Sequence, residues 1–125
     1  LRGGAIRSLK GIENMPNIDD LGISNNQIES LEPLRAMTKL KSLNLNNNKI
    51  EDLEPVSQLP LLGILALNDN YVSDITSLYE MEILGYLEMA NNCVPKEQFL
   101  TLKEKNPDLN LGVDLENYVI PEKCQ

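Results

Sequence analysis

The chain has 125 residues, enough for one small domain, and a domain of that size buries about two-thirds of the surface its unfolded chain exposes. Hydrophobic residues make up 42% of it, yet with one Phe, four Tyr and no Trp the core must be built from Leu, Ile, Val and Met. A net charge of −8 and a pI near 4.5 argue against nucleic acid or an anionic membrane surface as partner, and no apolar run approaches the roughly 18 residues of a membrane span, so no membrane insertion is expected.

From its opening LRGGAI the chain repeats itself every 22 residues. Ile6, Ile28, Ile50, Val72 and Val94 form one column; Leu9, Leu31, Leu53 and Ile75 form the next. Five more apolar columns begin at Ile12, Met15, Ile18, Leu21 and Ile23, and another reads Asn26, Asn48, Asn70, Asn92. In LKSLNLNNNKI the L-x-L alternation puts Leu43 and Leu45 on the inner side of a short strand and Ser42 and Asn44 on the outer. Strands recurring in one direction at this spacing predict a parallel sheet with short crossovers. After each Asn, apolar residues return at every third position (Ile50, Leu53, Val56, Leu59), which suits 3₁₀ or extended turns, and Pro33 and Pro55 would interrupt a regular helix. Such coils cover one another's apolar edges, so stability is expected to be nearest-neighbour.

The Asn column has a structural explanation. A buried amide at the strand-to-loop corner can bond backbone groups that the turn leaves unpaired, and stacked on its equivalents it forms a ladder. Gly4 holds this place in the first coil. Leu1 falls in the column of Ile23 and Leu45, so LRGGAI reads as the back half of a strand without a cap before it, and further repeats and a signal peptide upstream are expected.

The motif LKSLNLNNNKI resembles the leucine-rich-repeat signature L-x-x-L-x-L-x-x-N-x-L, and the 22-residue length is similar to the Sds22-like subclass. Pro33 in LEPL and Pro55 in LEPV give it the look of the internalin-type members. The resemblance covers residues 1–111. It implies an α/β-type solenoid, a right-handed coil with a short-stranded parallel sheet on its concave face, a 3₁₀ or extended convex side and a C-terminal helical cap. It also implies a protein ligand held on the concave face.

The expected division is repeats over 1–94 (one partial and about four full coils), a cap helix and edge strand over 95–113, and a tail over 114–125. Pro95 can open the helix, Glu97 favours its N-terminal end, and Lys103 and Lys105 favour its C-terminal end. Val94, Phe99, Leu100 and Leu102 are the residues available to close the stack. Leu109 and Leu111 follow Leu87 and Met89 by 22 residues and predict a last edge strand. The tail is expected to fold back through Tyr118, Val119 and Ile120. Cys93 and Cys124 read either as a disulfide or as two free thiols. A bridge would close a loop of about 32 residues, contribute roughly 3 to 4 kcal/mol and place the protein in an oxidising compartment (secreted, cell-surface or periplasmic); free thiols would fit the cytoplasm.

An enzyme is not expected. The chain has no His, no nucleophile elbow and no phosphate-binding loop, and two Cys do not make a zinc cluster. No cofactor and no metal are expected; the NDN at 68–70 lacks the spacing of a calcium loop. Two functions remain, a protein-binding module and a spacer or cap segment of a larger receptor or adhesin; the Sds22 resemblance adds a phosphatase-regulatory subunit as a third. The outward strand positions separate the first two. The candidate partner-binding face takes in the polar Ser42, Asn44, Asn46 and Asn68, and Ile64, Ala66 and Tyr86, with Tyr71 near them and Asp69 and Glu88 at the rim, break its polar pattern with apolar and aromatic groups. That patch reads as a binding site, as a seat for the C-terminal tail, or as a surface for self-association.

Overall fold

The computed structural model describes residues 4–125, so Leu1, and with it the reading of the opening strand, lies outside the described residues. Four short strands, β1 (Asp20–Gly22), β2 (Ser42–Asn44), β3 (Ile64–Ala66) and β4 (Tyr86–Glu88), and a fifth, β5 (Asn110–Gly112), form one parallel sheet in chain order. Strand Leu21, Leu43, Leu65, Leu87 and Leu111 stand in register across it. The opposite side of each coil carries a 3₁₀ turn: η1 (Ile12–Asn14), η2 (Glu32–Leu34), η3 (Glu54–Val56) and η4 (Thr76–Leu78). Pro33 and Pro55 occupy the first turn of η2 and η3, where a missing N–H costs nothing.

Each of these turns is preceded by a small polar residue that the apolar columns do not reveal. Ser30 Oγ, Asp52 Oδ1 and Asp74 Oδ1 each accept the backbone N–H two residues on, at 3.1, 3.0 and 2.8 Å, and Ser8 does the same in the first coil at 3.0 Å. Across the turns, the Arg35 guanidinium bonds Glu32 of its own coil and Glu54 of the next. Arg35 holds both carboxyl groups below the usual carboxylate range.

The core is a single stack of the inward columns. Leu43, Leu65, Leu87, Ile50, Val72, Leu53 and Ile75 are all at most 1% exposed. The first coil is looser: Met15, placed in an apolar column by sequence, is exposed at 53% because no described coil covers its side of the stack.

The other end is closed by helix α1 (Lys96–Lys105), whose Phe99 and Leu102 are buried over Val94. Leu100 is a correction to the expected set. It is 45% exposed, since it sits about 100° around the helix from Phe99, whereas Leu102, three residues on, shares that face. A second correction concerns β5. Tyr86 pairs with Asn110, 24 residues on, where Ser42 pairs with Ile64, 22 on. An α-helix advances only ~1.5 Å per residue, so a coil containing one needs more residues to come round. The slip is two residues, which preserves the alternation of faces and keeps Leu111 inward.

Candidate functional site

Two surfaces meet where the strands turn into the loops. At the corner, Asn25, Asn47, Asp69 and Asn91 all have φ between 57° and 61°, the left-handed conformation that Asn and Asp tolerate best among residues with a Cβ. This turn aims the following amide inward. Asn48 Nδ2 donates to Ile23 O of the preceding coil (2.9 Å) and to Leu45 O of its own (3.0 Å), while its Oδ1 accepts Ile28 N–H (3.0 Å). Asn70 repeats the pattern on Leu45 O, Leu67 O and Ile50 N–H, and Asn92 on Leu67 O, Met89 O and Val72 N–H. Asn26 Oδ1 accepts Ile6 N–H beside Gly4. The bonds run from amide to backbone, not from Asn to Asn. The true side-chain ladder lies one residue earlier, where Asn47 Nδ2 donates to Asn25 Oδ1 (2.9 Å) and Asn91 Nδ2 to Asp69 Oδ1 (2.8 Å).

On the outer sheet face, Asp20, Ser42, Ile64, Tyr86 and Asn110 stand side by side, and Gly22, Asn44, Ala66, Glu88 and Gly112 form the next row. Ile64 is 46% exposed on a strand whose next residue, Leu65, is fully buried. Beside it, Tyr86 O–H donates to Glu88 Oε2 (2.5 Å), and Asn68 Nδ2 donates to Glu88 Oε1 (3.0 Å). The bond to Glu88 raises the Tyr86 pKa. Ala66, expected at the surface, is only 7% exposed, because a single methyl between Asn44 and Glu88 is shielded by its longer neighbours.

Some of the polar residues assigned to this face by sequence are occupied by backbone, Asn44 within its own coil and Asn46 and Asn68 from coil to coil. Asn44 Oδ1 accepts Asn46 N–H (3.0 Å), Asn46 Oδ1 accepts Asn68 N–H (2.8 Å), and Asn68 Oδ1 accepts Ala90 N–H (2.8 Å).

Asp69 and Tyr71 do not join Ile64 and Tyr86. They line a cleft of about 400 Å³ at the corner with Asn47, Lys49, Asn91 and Lys123. Tyr71 is 44% exposed and carries the Lys123 ammonium over its ring, 4.4 Å from the centroid; Lys123 Nζ also donates to Asn70 O (2.5 Å). Burial lowers the Lys123 pKa and nearby Asp69 opposes the shift. The tail is thus seated at Tyr71 and not on Tyr86. It is held there by a disulfide between Cys93 and Cys124 and by Tyr118, whose ring meets Phe99 edge-on at 5.5 Å and whose hydroxyl donates to Val94 O. Val119, expected to help fold the tail back, is exposed.

A family model described as Leucine Rich repeats (2 copies) matches residues 38–80. The chain is similar to an internalin C2 from Listeria monocytogenes, with 33% identity and a TM-score of 0.66 over 68% of this chain and 38% of that one. It is also similar to an internalin, inlF, of the same organism, with 29% identity and a TM-score of 0.79 over 85% of this chain and 31% of that one. A third solved structure, the Drosophila melanogaster SNF/U2A′ complex, has a chain 26% identical, with a TM-score of 0.70, covering 99% of this chain and 74% of that one. A search of curated proteins finds no match. The chain spans 38% and 31% of the two internalins. With the 22-residue columns, the parallel sheet in chain order and the inward Asn at four successive corners, these likenesses identify the chain as a leucine-rich-repeat protein.

Proposed function

We propose that the chain is a non-enzymatic protein-binding module whose partner rests on the concave face of the last two full coils, at Ile64, Tyr86 and Glu88. Leucine-rich repeats are protein-interaction modules, and the Drosophila neighbour was solved as a complex. The observation that carries the reading is the exposed Ile64 beside Tyr86. An apolar and an aromatic side chain that face away from the stack contribute nothing to the core, and aromatic anchors ringed by polar groups are the usual make-up of a binding hot spot. Asp69 and Tyr71 belong to the tail's corner and drop out of the proposed site. The Cys93–Cys124 bridge favours an oxidising compartment, so the module is read as secreted, cell-surface or periplasmic.

A photo-crosslinking residue placed at position 64 should give protein adducts that one placed at Arg35, on the opposite side of the coil, does not. Ile64→Asp and Tyr86→Ala should abolish partner retention while leaving the melting temperature nearly unchanged. Equal adducts from both positions, or loss of folding in either variant, would remove this face from consideration. For the compartment, a thiol reagent under denaturing, non-reducing conditions should find no free thiol; finding two would return the protein to the cytoplasm.

A further inference from the structure

Glu88 is the unusual carboxylate of the outer face. Each of its oxygens already accepts one hydrogen bond from a neighbour, Oε1 from Asn68 and Oε2 from Tyr86, so the group is fixed in place. A carboxylate has about four acceptor positions, and two neighbours use only two of them. The remaining lone pairs, one on each oxygen, suit a forked donor. Nothing in the described chain supplies one: none of the ion pairs among the described residues includes Glu88, and no outward strand position from Asp20 to Gly112 is a Lys or Arg. The convex side is the contrast. There, Glu32 and Glu54 share Arg35 from within the chain. On the outer face Glu88 is only half-buried, next to the recessed Ala66, and the Tyr86 hydroxyl on its Oε2 keeps that ring beside the carboxylate.

We propose that the partner reaches this face with an arginine, whose guanidinium stacks on Tyr86 and forks onto both oxygens of Glu88 while an apolar neighbour rests on Ile64. The inference builds on the reading of this face as the binding face. Arginine suits it better than lysine, because a planar guanidinium can both stack on an aromatic ring and bond a carboxylate at two points, whereas an ammonium is a compact, strongly hydrated point charge. A carboxylate already held in position adds little ordering cost when the partner arrives. The excess negative charge of the chain attracts such a partner at long range.

The test is selection of displayed random peptides on the intact, disulfide-bonded protein, keeping only those that fail to bind Ile64→Asp. Arginine should be enriched among the survivors. Replacing that arginine by lysine in the best peptide should weaken binding several-fold. Glu88→Gln should weaken it by at least about tenfold, as for a charged pair that loses its partner, and raised salt should weaken it too. Survivors without arginine, or survivors indifferent to Glu88→Gln, would overturn the arginine and leave the face standing. A selection in which no peptide distinguishes the wild type from Ile64→Asp would overturn both.

Discussion

Ile64 and Leu65 are neighbours on one three-residue strand, nearly equal in size and hydrophobicity, and they do unrelated work. Leu65 is fully enclosed between Leu43 and Leu87, while Ile64, in register with Ser42 and Tyr86, faces solvent. Because successive residues of a strand point to opposite faces, the inward residues can hold the fold while the outward ones are free to vary from coil to coil. The inward column is Leu at every strand of the sheet; the outward column runs Asp, Ser, Ile, Tyr, Asn. In this chain the residues that hold the fold and the face proposed for recognition are separated by one residue.

The separation can be broken most forcefully from inside. Leu65→Ala should cost about 2–5 kcal/mol in chemical denaturation, for the lost burial and the cavity left between two coils. The cap comes next: Cys124→Ser should cost about 2–4 kcal/mol, since it frees the tail as well as opening the loop. Asn70→Ala leaves Ile50 N–H without its buried partner, while Leu45 O keeps Asn48, and should cost about 1–3 kcal/mol, whereas Asn44→Ala, an exposed residue of the outer face, should cost under about 1 kcal/mol. Arg35→Gln should lower the melting temperature slightly at neutral pH. Its two carboxylate partners are held below their ordinary value of 4.5, so their contribution is complete above that pH and is lost as pH falls through the lowered values; the gap between variant and wild type should therefore close in acid. Smallest of all, Ile64→Asp should change stability by no more than about 0.5 kcal/mol. A cost comparable to that of Leu65→Ala would mean that the two faces are not independent.

The sequence made the inward half of this division legible and the rest only in part. A 22-residue period of Leu, Ile and Val is visible because inward positions admit few residue types, and the same holds for the Asn that must satisfy three backbone groups at once. The local turns closed by Ser30, Asp52 and Asp74 were hidden, because a hydroxyl and a carboxylate do the same work and share no apolar signal. The shift of β5 to a 24-residue spacing was hidden too, since Leu109 and Leu111 satisfy the 22-residue frame just as well and only the compact rise of α1 decides between them. On the candidate face, alternation placed Ile64 and Tyr86 correctly outward. It could not show that Ala66 is recessed, that Asn46 and Asn68 bond to the next coil, or that Tyr71 turns toward a lysine 52 residues away.

The corner bonds have a direction. Each inward Asn reaches back to the coil before it, so every coil depends on the amide of its successor, and the last one has no successor of its own kind. The tail fills that vacancy with different chemistry. The Tyr118 hydroxyl takes Val94 O, as Cys93 N–H takes Val72 O one coil earlier, and Lys123 bonds Asn70 O. Tyr118 thus stands in for a missing coil at one carbonyl, Lys123 ties the tail to the corner, and one covalent bond keeps both in place. An array stitched this way frays from its C-terminal end unless something is tied over it, so the chain is a one-way zipper whose final tooth is a clasp.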